Sequence, residues 1–151
     1  PISALTAQSY RDLYCAVFAD FHLFARLYGI GPPEPDLAAN WLADMEISDK
    51  ARIIGDHFST VDLSNGQRKR LAFIAAQLEN KPIIVLDEWA ADQDPHFRAK
   101  FYQVLLPRLK AAGKTVIAIT HDDRYFHVAD RVVKLDFGAI VEETAGRQWS
   151  A

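Results

Sequence analysis

Three short stretches carry residues whose chemistry goes beyond packing. Residues 83–88, IIVLDE, run four apolar residues into two carboxylates. A buried strand ending this way delivers Asp87 and Glu88 to the C-terminal edge of an open α/β sheet, where ligands of such sheets bind. Asp87 is placed to hold Mg²⁺ through water, because that ion prefers oxygen ligands and keeps part of its hydration shell. Glu88 is placed to orient and deprotonate an attacking water. The same residues also read as a strand entering an acidic turn. Residues 63–72, LSNGQRKRLA, put Ser64 and Gly66 at a helix start, where free N–H groups and the helix dipole attract phosphate. The alternative is a capped helix whose Arg68, Lys69 and Arg70 are merely solvated. Residues 118–123, AITHDD, end an apolar run on His121, a hydrogen-bonding sensor or proton relay at a terminal phosphate, or else a structural strand end.

The elements that must position these residues follow from periodicity. Residues 12–18 are rich in aromatics and Val and predict a strand. Residues 20–36, with Gly29, Gly31, Pro32, Pro33 and Pro35, predict a turn-rich connection. From Leu37 to about His57, Leu37, Trp41, Leu42 and Met45 recur at helical spacing, with a second short helical stretch around Ala51 to Ile54. Ser64 caps a helix to about Leu78, with Leu71, Ile74, Ala75 and Leu78 on one face. Pro82 leads into strand Ile83–Leu86. Asp94 and Pro95 start a helix that turns Phe97, Phe101, Val104, Leu105 and Leu109 inward and stops at Gly113. Thr115–Thr120 is expected as a buried strand, and 131–142 as a closing hairpin around Gly138. Apolar strands alternating with helices predict a parallel sheet covered on both faces, with 20–80 as a mainly helical insertion.

Composition narrows the class. Half of the 151 residues are apolar, which suits one compact domain. A net charge of −3 argues against a broad electrostatic hold on nucleic acid or anionic lipid. Cys15 is the single cysteine and forms no internal disulfide, as in a reducing compartment. No apolar run approaches the roughly 18 residues of a membrane span. The chain opens on Pro1 rather than Met, without a signal-peptide pattern, and is expected to be a piece of a longer polypeptide in the middle of a strand approach.

Taken in order, the capped basic helix, acidic strand, following helix and His-tipped strand resemble the nucleotide-binding domain of ABC ATPases over residues 10–143. The resemblance implies an α/β fold of the P-loop NTPase (ABC ATPase) type, present in part. Residues 1–19 would form a core strand region, 20–80 a helical subdomain with the signature motif, and 81–151 the catalytic core. It places Ser64, Asn65, Gly66 and Gln67 at the signature motif, Asp87 at the Mg²⁺ position and Glu88 at the catalytic base. Ala91 to Asp94 fall at the dimer-crossing D-loop, with Asp94 its closing aspartate, and His121 at the switch histidine. The implied ligands are ATP and Mg²⁺. The implied partners are a second nucleotide-binding domain closing head to tail as a homodimer, and a transmembrane permease domain on the same polypeptide, with no nucleic acid. The implied location is the cytoplasmic face of a bacterial inner membrane. Longer strings, LDEWAADQDPHFRAKFY, LLPRLKAAGKTV, HDDRYF and AVFADFHLF, resemble the fused permease/ATPase exporters of cyclic peptides and siderophores.

Departures from that pattern are equally specific. The Q-loop glutamine of the family falls at Ala19, which has no ligand atom, so either a neighbour such as Asp20 or His22 takes over or coupling runs through shape alone. Asn65 replaces the motif's first glycine, Trp89 the proline after the acidic pair, and AADQD the common serine-containing D-loop. Gly113-Lys114-Thr115 imitates the end of a phosphate loop, G-x-x-x-x-G-K-[ST], but Arg108 stands where its first glycine belongs, and the tripeptide precedes a strand instead of following one. No other GK[ST] occurs, so the phosphate loop and the adenine-stacking aromatic are expected upstream of Pro1, and the chain alone is expected not to hydrolyse ATP. His57, His96 and His127 are expected at the surface or in packing. Tyr28 and Trp41 either face a membrane domain or pack the helical insertion. Two rivals stand beside the exporter: a soluble ABC ATPase of DNA repair or translation, and a non-enzymatic binding module.

Overall fold

The computed structural model describes residues 4–148; the strand approach expected at Pro1 lies outside them. Helix α1 (Ala4–Arg11) leads into strand β1 (Tyr14–Val17). After a glycine- and proline-rich loop come helix α2 (Pro35–Asp44), the short strands β2 (Ile53–Ile54) and β3 (His57–Phe58), and helix α3 (Asn65–Leu78). Strand β4 (Ile83–Asp87) follows, then helices α4 (Pro95–Lys100) and α5 (Leu106–Ala111), strand β5 (Thr115–Ile119), and strands β6 (Val132–Asp136) and β7 (Ala139–Thr144).

Strands β1, β4 and β5 form a parallel sheet in the order β1-β4-β5, with Val17 beside Leu86 and Leu86 beside Ala118. Parallel neighbours need long crossovers; α2, the β2–β3 hairpin and α3 supply the first, α4 and α5 the second. Alternate residues divide the sheet into two faces. Cys15, Val17, Ile84 and Leu86 are buried on one face, against helical residues such as Ile74 and Phe73. The other face, through Ala16, Val85, Ile117 and Ile119, is open among the described residues, with Ile117 47% and Ile119 50% exposed. The expected two-sided covering and buried β5 are therefore corrected. Apolarity identifies a face that can be covered, but not the element that covers it.

Three further expectations change. The helix from Leu37 ends at Asp44, because Glu46 turns left-handed (φ 52°) and the chain bends through Ser48, Asp49 and Lys50. The stretch around Ala51 to Ile54 is strand, not helix: β-branched Ile53 and Ile54 pair antiparallel with Phe58 and His57 across a tight turn. Val104 is 53% exposed instead of inward. Residues 101–105 form a π-helical turn between α4 and α5. Pro107 accounts for it, since proline has no N–H for the carbonyl four residues back and its ring crowds that turn. The widened turn shifts the register that an uninterrupted α-helix would give, while Phe101, Tyr102 and Leu105 still reach the core.

The core centres on an aromatic cluster. Phe73 packs 5.2 Å from Trp89 and 6.1 Å from Phe101, and Trp89 lies 4.4 Å from Phe101, centroid to centroid. Each such pair adds about 0.5–1.5 kcal/mol beyond its buried area. Trp41 joins edge-on to Phe73 at 6.0 Å, which places it in packing, whereas Tyr28 is exposed. His57, His96 and His127 are at the surface, as expected. Cys15 is buried beneath the sheet, and burial pushes its thiol up to about 11.

Candidate functional site

Ser64 caps α3 by accepting from the Gln67 N–H, and the Gln67 side chain accepts from the Ser64 N–H in return. This reciprocal pair satisfies two donors that a helix start otherwise leaves open. At Gly66 the chain touches the segment after β4: an added β-carbon would stand 2.6 Å from the Asp92 carbonyl oxygen. Only glycine permits that approach without displacing backbone.

Strand β4 carries Asp87 and Glu88 to its C-terminal end, next to the end of β5. Glu88 N–H donates to the Ile119 carbonyl at 3.0 Å, and His121 Nε2 lies 3.2 Å from Glu88 Oε1. His121 is almost fully exposed, so the pair stands at an open edge. Asp87 Oδ2 accepts from the Ala19 N–H at 3.4 Å. The Ala19 position thus meets Asp87 through backbone alone. Asp20 is exposed, and His22 packs edge-on against Phe24 at 4.6 Å. Among the described residues no three His, Cys, Asp or Glu side chains converge. A cation at Asp87 would therefore rely on water and phosphate oxygens, an arrangement Mg²⁺ accepts and more protein-dependent metals do not.

A cavity of about 360 Å³ opens beside Glu88 and His121 and is bounded by Arg98, Tyr102, Thr120 and Asp122. Tyr102 donates to Thr120 Oγ1 at 2.9 Å and stacks on Tyr125, holding the tip of β5 against the helical layer. Asp122 accepts two hydrogen bonds from Arg124 and lies 3.5 Å from Arg98; these guanidinium groups, Arg124 first, hold its carboxyl below the usual range.

The segment after β4 is held by side chains that pattern reading passed over. Arg98 donates to the carbonyls of Ala90, Ala91 and Gln93. Arg70 bridges Gln93 and Asp94 and lies 3.6 Å over the Phe97 ring. Asp94 caps α4 by accepting from the Phe97 N–H at 2.9 Å; that bond, with Arg70 beside it, keeps its carboxyl low. Lys69 is buried, 2.7 Å from Asp92, so it is not a solvated member of a basic turn. Asn65 donates to the same Asp92 oxygen at 2.8 Å. One signal pointed to Lys69: it stands four residues before buried Phe73 on one helix face. Lys114 of the false phosphate motif bonds Asn80 and the Lys81 carbonyl at the entry of β4, and Gly113 supplies the left-handed stop (φ 78°) that ends α5.

No family model matches the chain. Over 140 residues, 89% of its length, it is 54% identical to the ATP-binding protein SyrD of Pseudomonas syringae pv. syringae, of which it spans 24%. It is 36% identical over 80 residues to the putative hemin import ATP-binding protein HrtA of Staphylococcus aureus (strain Newman), covering 53% of this chain and 36% of HrtA. It therefore spans well under half the length of these relatives. Its backbone matches the ATP-binding cassette MJ0796, solved as a dimer in a post-hydrolysis state with ADP and Pi, at a TM-score of 0.75 and 23% identity, over 97% of this chain and 69% of that one. It matches a bacterial Atm1-family ABC exporter with ATP bound at 0.76 and 20%, over 93% of this chain and 26% of that one. These two likenesses speak to the fold. Combined with 54% identity to an ATP-binding relative along most of its length, they make this chain a member of the ABC-type nucleotide-binding domains.

Proposed function

We propose that this chain is the signature and hydrolysis portion of the ATP-driven motor of an ABC exporter. The observation that carries the reading is the meeting of Glu88 with His121 at 3.2 Å on the strand edge that also presents Asp87. In this reading Glu88 takes a proton from the attacking water, and His121 orients Glu88 and senses the terminal phosphate. Asp87 would hold Mg²⁺ through water, and the ion would supply charge neutralisation on the phosphates. Ser64, Asn65, Gly66 and Gln67 present helix-start N–H groups to the ATP of a second, head-to-tail copy. Asp94 closes the loop that crosses to that copy. The phosphate loop comes from outside these 151 residues, so the chain by itself does not hydrolyse ATP.

Residues 20–80 act as the helical subdomain and 81–151 as the catalytic part of the core. The motor drives a transmembrane permease of the same polypeptide at the cytoplasmic face of the membrane. Among the described residues, no helix of this segment is long and apolar enough to cross a membrane itself. The strings around Trp89 and HDDRYF support cyclic peptides or peptide siderophores as the cargo class.

The test is Glu88→Gln in the full-length protein. ATP binding should persist while turnover falls by at least about 100-fold, the lower range of general-base contributions. Near-normal hydrolysis removes Glu88 from the base role.

A further inference from the structure

Lys69 is the charged side chain whose burial the reading above leaves without a purpose. It is 2% exposed in α3, where an ammonium is costly unless its donors are matched. Its Nζ has two partners, Asp92 Oδ2 at 2.7 Å and the backbone carbonyl of Glu88 at 3.0 Å. Glu88 is itself unusual: it turns left-handed, φ 46° and ψ 31°, a conformation that non-glycine residues rarely adopt. The Lys69 ammonium thus grips the carbonyl that this conformation presents. Around it, Asn65 ties Asp92 to the start of α3, and Trp89 Nε1 donates to the Lys69 carbonyl at 2.8 Å. The two residues that flank the Glu88 peptide in sequence and space, Trp89 and Lys69, therefore lock each other.

We propose that Lys69 is a positioning residue for Glu88. Its ammonium holds the Glu88 peptide in the left-handed turn that aims the carboxylate at His121, and Asp92 and Asn65 hold the ammonium. The proposal rests on Glu88 being the base. It extends that reading by joining the helix that begins at the signature residues directly to the base, so that displacement of α3 would move Glu88 as well.

The test is steady-state ATP hydrolysis by the full-length protein, with ATP binding and thermal unfolding measured alongside. Lys69→Met keeps the length and burial of the stem and removes the charge. It should lower kcat at least tenfold with KM for ATP changed less than twofold, and should cause no further loss in a Glu88→Gln background. Asp92→Asn, nearly isosteric and partly exposed, should lower kcat in the same way by a smaller factor, and it decides the matter if Lys69→Met does not fold. An unchanged kcat, a loss confined to ATP binding, or the same fold-loss with and without Glu88 overturns the proposal while leaving Glu88 as the base. Near-normal turnover in Glu88→Gln alone overturns both.

Discussion

At Gly66 a β-carbon would stand 2.6 Å from the Asp92 carbonyl oxygen and 3.7 Å from the Gln93 side chain. The nearest atom is backbone, so Gly66→Ala must push the segment after β4 away from α3. Overpacking of this kind costs about 1–3 kcal/mol, and urea unfolding of the variant should show a loss in that range. A loss under about 0.5 kcal/mol would mean the contact is slack. The sequence suggested Gly66 as part of a helix start that attracts phosphate. The neighbour it meets here is its own chain, because the carbonyl of Asp92, 26 positions on, folds back onto the helix start. Lys69 is the opposite case, a residue read as one of a solvated trio and found paired inside. A string of Arg-Lys-Arg does not say which members find partners; here Lys69 and Arg70 both do, against the segment after β4.

Among the elements, α4 and the tip of β5 are joined through Asp122, which receives Arg98 from the first and Arg124 from just beyond the second. The folded carboxyl lies below the ordinary aspartate value of about 3.9, held there chiefly by Arg124. A depressed value stabilises the fold fully above the unfolded value, and the contribution is lost as pH falls through the folded one. Asp122→Asn should therefore lower Tm by roughly 2–4 °C at pH 7, the shift expected for about 1 kcal/mol in a domain of this size. The gap between variant and parent should narrow as pH falls below the ordinary aspartate value and through the lower folded one. A gap that stays constant between pH 7 and pH 3 would show that the Asp122 charge is irrelevant. Periodicity placed α3, β4 and the closing hairpin correctly because each has one dominant pattern and clear punctuation. It failed at Ala51 to Ile54, where two β-branched residues beside a tight turn are too short a window to separate strand from helix. It failed at Val104, which lies inside the π-helical turn of residues 101–105, where α-helical spacing does not hold, whereas Leu105 and Leu109 are buried as expected.

Across the whole molecule, the aromatic cluster joins the helical layer to the sheet. Phe73 is fully buried among Trp41, Trp89 and Phe101. Phe73→Ala should cost about 3–5 kcal/mol, roughly a fifth or more of a typical domain's stability. Denaturant unfolding would measure it, and a cost below 1.5 kcal/mol would show that the cluster collapses to fill the gap.

The sequence by itself determined the order of the chemical residues: a Ser-capped helix start, two carboxylates at a strand end, a histidine at the next strand end. It also exposed the false phosphate motif at Gly113, since strand order along a chain is a local property. Only the tertiary structure decided which groups meet. Parallel pairing of β4 with β5 set Asp87 beside Ile119 and so brought Glu88 to His121. The return of the post-β4 segment onto α3 buried Lys69 against Asp92 and the Glu88 carbonyl. Those contacts join residues 19 to 33 positions apart. Periodicity assigns each of them a face, but the partner on that face is chosen by how the two crossovers pack.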